Sequence, residues 1–163
     1  MSWQRGSAEI LGLISRHELE QVPADAELAD RMVETSRQHI SSARQLAGTD
    51  PYLAYAAVYD AIRKSLAALL QVQGLRATSS GGHLAVMDAV RAQFGPSMGA
   101  ILRPIDRIRV TRHDTEYPSA ATYLDEQAVL DDIPKAEAVV EAAEKALPHL
   151  TPFTQTSPPT PAA

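Results

Sequence analysis

The run "DPYLAYAAVYDAIRKSLAALLQVQG", residues 50–74, constrains the fold more than any other stretch. Asp50 is a residue type that accepts a hydrogen bond from the first free amides of a helix, and Pro51 suits the first helical position, where its missing N–H costs nothing. Tyr52, Tyr55, Tyr59, Ile62, Leu66, Leu69 and Val72 recur at the spacing of one helical stripe, and Gly74 supplies a stop. A helix of this length that is apolar on one stripe must bury it against other helices.

The rest of the chain repeats this grammar. Residues 8–22 form a short amphipathic segment ended by Pro23, and Asp25–Ala47 carries Ala29, Met32, Val33, Ser36, Ile40, Ala43 and Ala47 at helical spacing. "RATSSGGH" reads as a loop. "HLAVMDAVRAQF" reads as a shorter helix stopped by Gly95 and Pro96, with Ser97 capping the next one. That helix runs through the 101–117 region, with Pro104 in its first turns or at a later start, and Pro118 ends it. A last helix covers about 132–147, with an earlier turn from Asp125. Apolar residues make up 45% of the chain and aromatics only 5%, a balance that favours helices, and no alternating strand pattern is present.

The expectation is an all-α, up-and-down bundle of about five helices. An N-terminal helical segment spans 1–24, the bundle 25–147, and a disordered Pro/Thr-rich tail 148–163, where five of sixteen residues are proline. Trp3 is expected to anchor the N-terminal segment. With no cysteine, neither a disulfide framework nor a thiolate zinc site can form, and His17, His39 and His149 lack acidic partners at ligand spacing. No metal and no other cofactor is expected. No apolar run reaches membrane-spanning length and the N-terminus lacks a signal-peptide core, so a cytoplasmic protein with no membrane partner is expected.

Charge is unevenly spread over a chain of net charge −5. Residues 103–113 hold Arg103, Arg107, Arg109 and Arg112 against Asp106, whereas residues 114–144 hold nine acids against Lys135. Ile101, Ile105 and Ile108 mark a buried stripe, and Arg112 follows where a core residue belongs. An inward arginine needs an acid or an anion. Two readings stand side by side: Arg112 pairs with Asp60 on a facing helix, or it grips a phosphate together with His113 and Tyr117. Arg109, His113 and Tyr117 share a neighbouring face. Arg63 extends the cationic surface, although Asp60 and Lys64 also make an ordinary i, i+4 pair. Tyr59 sits beside Asp60, and His83 opens a helix after "SSGG". Tyr52, Tyr55 and Tyr59 are either a stacking ladder for bases or core residues with hydroxyls at the rim.

"RHDTEYP" resembles the Arg-polar-x-x-x-Tyr/His motif near the end of the fourth helix of HEPN domains, small prokaryotic α-bundles. The upstream "AYAAVYDAIRKSLAALLQVQGLRATSSGGH", with its "YDAxRKxL" pattern and "GL…GGH" loop, also resembles them. The similarity covers about residues 3–147. It implies a bundle that forms a homodimer, bringing two motifs into a shared cleft, and an activity of RNA or nucleotide binding, with a nucleotidyltransferase as partner in a toxin–antitoxin pair. The alternative it implies is a metal-independent endoribonuclease using Arg112 with His113 or Tyr117. In cleaving members the motif ends in histidine; here Tyr117 stands there, and a phenol with a reference pKa of about 10 is a poor general base near neutrality. Binding is therefore the favoured expectation. A register from Arg107 to His113 restores a terminal histidine but puts Ile108 at the polar second position.

Overall fold

The computed structural model describes residues 5–154. Its elements are α1 (Ser7–Ser15), β1 (Leu19–Gln21), α2 (Ala26–Leu46), α3 (Pro51–Gln71), β2 (Leu75–Ala77), α4 (Gly82–Leu102), α5 (Ile105–Glu116) and α6 (Glu126–Ala146), followed by a 3-10 turn at Leu147–His149. The all-α helical bundle expected from periodicity is what forms, with six helices rather than five. Trp3 and residues 155–163 lie outside the described residues.

Three of the helices begin where their aspartates dictate. Asp25, Asp50 and Asp125 accept from the amides of Leu28 (2.8 Å), Leu53 (3.1 Å) and Ala128 (2.9 Å), each satisfying a donor that a helix start leaves free. α2 and α3 form an antiparallel hairpin through the turn at 47–50, and α6 lies against both. Small residues of α2 and α6, including Ala29, Ser36, Ala43, Ala136 and Ala143, are buried along their facing stripes. At the surface Arg37–Glu144 and Arg44–Glu137 ion pairs link α2 to α6.

The expected stop at Gly95–Pro96 does not occur, and Ser97 caps no helix. α4 runs through Pro96 because Phe94, Met98 and Leu102 are buried on either side of it. The Ser97 hydroxyl instead donates to the Phe94 carbonyl at 3.2 Å. An interior proline costs about 3 kcal/mol, and burial of three large apolar side chains at about 1.5–3 kcal/mol each offsets it. α6 likewise starts near Asp125 rather than at 132 and carries Pro134 inside it, with Val129, Ile133 and Ala136 in the core. Pro104 stands just before α5, and α5 ends at Glu116, before Pro118.

The sequence reading has no strand, yet β1 and β2 pair antiparallel, Glu20 opposite Arg76. This two-stranded ribbon ties the N-terminal segment to the α3–α4 connection, so residues 19–21 are strand rather than the tail of a helix. Gly74, at φ +74°, makes the approach feasible: a Cβ there would lie 2.7 Å from the Val22 carbonyl oxygen. Gly81 packs so tightly on β1's entry that a Cβ would sit 2.1 Å from the Glu18 oxygen. The chain beyond 147 also departs from expectation. Phe153 is buried and its amide donates to the Gln73 carbonyl at 2.8 Å, so residues 147–154 belong to the bundle.

Candidate anion-binding site

α5 crosses α3, and its two flanks serve two different polar clusters. Tyr55 and Tyr59, one turn apart on α3, are both buried, so they are core residues with occupied hydroxyls rather than a ladder open to bases. Tyr52 is 38% exposed at the start of the helix.

On one flank the Tyr55 hydroxyl donates to Asp132 at 2.7 Å. Arg107 grips the same carboxylate through both terminal nitrogens, at 2.6 and 3.0 Å, and Lys135 adds a third cationic bond at 2.8 Å. Burial alone would raise the Asp132 carboxyl, but the bonds from Arg107, Lys135 and Tyr55 win and hold it at about 2. Burial and the adjoining carboxylate push the Tyr55 phenol upward. Every strong group here is satisfied, so this cluster is a clasp joining α3, α5 and α6. Sequence reasoning missed it. The available signal was the position of Asp132, a carboxylate lying between Val129, Ile133 and Ala136 on the buried stripe of α6.

On the other flank the Tyr59 hydroxyl meets Nδ1 of His83 at 3.0 Å, and the two rings tilt against each other at 5.6 Å. Arg63 of α3 and Arg109 and Arg112 of α5 all lie close enough for their charge to act on both rings. Burial raises the Tyr59 phenol while the three arginines oppose the rise. Partial burial, then the charge of Arg63, lowers the His83 ring below its ordinary 6.5, with Asp60 pulling the other way. His83 is thereby held neutral and can accept from Tyr59.

The expected Arg112–Asp60 pair does not form. Asp60 accepts from Arg63 at 2.8 and 3.1 Å, from Lys64, and faces His39 at 3.4 Å. Burial would raise its carboxyl, but Lys64 and Arg63 hold it below the usual carboxylate range. Arg112, 26% exposed, reaches one turn along its own helix to Glu116 at 2.6 Å. Arg109 is only partly exposed, and its Nε is buried without a hydrogen-bond partner among the described residues. That leaves two guanidiniums committed to the surface side of the cluster and one incompletely satisfied.

Six of the sequence-selected residues therefore come together: Tyr59, Asp60, Arg63, His83, Arg109 and Arg112. His113 and Tyr117 do not join them. Their rings meet tilted, 46° apart with centroids at 5.0 Å, both residues are exposed, and Tyr117 is 68% exposed at the helix end. Arg107, the start of the alternative register, is committed to Asp132. The described residues contain no group of three or more histidines, cysteines and carboxylates placed to hold a metal ion. Among the described residues no helix is long and apolar enough to cross a membrane. Comparison of the chain with protein-family models, with curated proteins and with solved structures finds no match.

Proposed function

We propose that this is a HEPN-like protein that binds RNA or a nucleotide through its phosphate, at the cluster of Arg63, Arg109 and Arg112 around the Tyr59–His83 pair. The observation that carries the reading is the unpartnered, buried Nε of Arg109 beside two further guanidiniums. Three like charges near one neutral pair repel one another, and a phosphate relieves that repulsion while accepting two or more charge-assisted hydrogen bonds. Two carboxylates stand nearby: Asp60, 37% exposed, holds Arg63 and Lys64, and Glu116, 48% exposed, makes a single intrahelical pair with Arg112 of the kind worth under about 1 kcal/mol, which a phosphate can displace.

Binding is favoured over cleavage. The two proton-handling candidates, His113 and Tyr117, lie tilted against each other at the exposed end of α5, and neither makes the hydrogen bond that joins Tyr59 to His83. We further propose a homodimer, supported by exposed Val110 and Tyr117 on the motif helix and Tyr123 just after it.

The test is fluorescence anisotropy with a short labelled single-stranded RNA in EDTA, comparing the wild type with Arg112→Ala and Arg109→Ala. The expected result is intact RNA and at least about tenfold weaker binding by each variant, with binding that falls as salt rises. Unchanged affinity in both variants overturns the reading. RNA cleavage that disappears in Arg112→Ala replaces it with the ribonuclease alternative.

A further inference from the structure

A groove of about 340 Å³ opens between α3, β2 and the start of α4, on the far side of His83 from α5. Its polar edge carries Arg63, Arg76 and His83, and its inner wall is apolar, formed by Leu70, Leu75 and Val86. None of its lining residues is a carboxylate, in a chain with 20 acids and 15 lysines and arginines. Three other hollows among the described residues differ: one includes Glu9 and Asp88, one Asp30, Glu34 and Glu144, one Asp114. Asp60 holds Arg63 and Glu20 holds Arg76 from outside the lining, in partly exposed pairs that a phosphate can displace, and over the apolar interior such an edge suits a ligand with a phosphate at one end and a flat, weakly polar body at the other. Its volume lies at the low end of small-molecule pockets, about 300–1,000 Å³, so it admits one nucleotide unit and not a dinucleotide.

The geometry points to this groove as the seat of a single nucleoside monophosphate unit, its phosphate at Arg63, Arg76 and His83 and its base against Leu70, Leu75 and Val86. The inference rests on the phosphate-binding reading above and adds which part of the ligand enters the protein and where. Arg63 and His83 belong to both features, so the α5 arginines and the groove form one continuous cationic path. The Arg76 side chain is 61% exposed and pairs with Glu20, 44% exposed, at 2.8 Å, a surface pair that a phosphate can displace. α4 begins at Gly82 with no side chain capping it, and the Gly82 amide donates to the Thr78 carbonyl at 2.9 Å. The unit can come from a free nucleotide or from one residue of an RNA strand, and the two sources are separable.

The experiment is isothermal titration of the full chain with AMP, adenosine and inorganic phosphate, together with competition of AMP against the labelled RNA. Wild type is compared with Arg76→Gln, with Ala67→Trp, which fills the groove, and with Ser79→Trp at its rim as a second blocking variant in case Ala67→Trp fails to fold. The expected result is AMP binding that exceeds phosphate and adenosine at least tenfold, and falls at least tenfold in Arg76→Gln and in a folded blocking variant. Displacement of RNA by AMP assigns the groove to a residue of the strand; AMP binding without displacement assigns it to free nucleotide. Phosphate binding as tightly as AMP overturns the proposal, because the apolar wall then contributes nothing. RNA binding that is sensitive to Arg112→Ala while AMP neither binds nor competes, and the blocking variants bind RNA normally, also overturns it and leaves the phosphate-binding reading standing.

Discussion

The Tyr59 hydroxyl lies 3.0 Å from Nδ1 of His83, joining the middle of α3 to the first turn of α4 at the point where Arg63, Arg109 and Arg112 converge. With the ring neutral and its proton on Nε2, Tyr59 donates and Nδ1 of His83 accepts. The ring is neutral because partial burial and Arg63 lower its pKa below the ordinary 6.5. A bound phosphate reverses that balance, since an anion favours the imidazolium.

Phosphate or RNA affinity should therefore rise as pH falls from about 7.5 to 5.5, with protons taken up on binding. His83→Gln should flatten the profile. The sign for stability is opposite: the folded pKa is below the unfolded one, so the unfolded chain binds more protons and the ligand-free fold loses stability below about pH 6.5. Anisotropy titrations and thermal melts across this range check both, and a pH-independent affinity counts against the assignment of His83.

Glu116→Gln should tighten anion binding about threefold, because it frees Arg112 from a half-exposed ion pair of modest strength. Arg112→Lys should bind worse than wild type, since an ammonium cannot make the bidentate contact. Anisotropy with the same labelled RNA reads both changes. Weaker binding by Glu116→Gln would mean that the carboxylate orients the arginine productively.

Asp132→Asn should destabilise the fold by about 3 kcal/mol, because Arg107 and Lys135 lose the charge that their positions were built around. In the wild type the carboxyl is held at about 2 against 3.8 for a free aspartate, so its contribution is present above pH 3.8 and is lost as the pH falls toward 2, roughly 2 kcal/mol in all. Urea unfolding at pH 7 and pH 3 measures this. The variant should show a smaller acid-induced loss than the wild type.

Phe153→Ala should cost about 2–3 kcal/mol, a large effect for a residue in a Pro/Thr-rich stretch. The buried ring and the 2.8 Å bond from its amide to the Gln73 carbonyl are the reason. A melt unchanged from wild type would put the order of this segment in doubt.

Much of the fold is local physics and can be read from single residues. Asp25, Asp50 and Asp125 mark three helix starts because an aspartate captures free amides wherever a helix can begin. Pro118 marks an end for the converse reason. The grouping of Tyr59, Asp60 and Arg63 on one helix near Arg112 was also legible through helical spacing, although Arg112 turns to Glu116 on its own helix instead of inward to Asp60. Gly95–Pro96 misleads because the backbone preference is real but smaller than the burial of Phe94, Met98 and Leu102. The β1–β2 ribbon is hidden because a three-residue strand has too short a pattern to register, and its pairing joins segments 56 residues apart.

The order of apolar stripes, caps and prolines thus determined by itself that the chain is a bundle of helices, and that Ile105 and Ile108 seat the arginine-rich helix on its core. Which partner each cation takes was decided only by the tertiary structure. Arg107 and Arg112 are five residues apart on one helix, yet one is held by a buried aspartate of α6 and the other by a rim glutamate. That difference comes from how α5 crosses α3, because electrostatic pairing depends on distance and burial in space, and neither is a property of spacing along the chain.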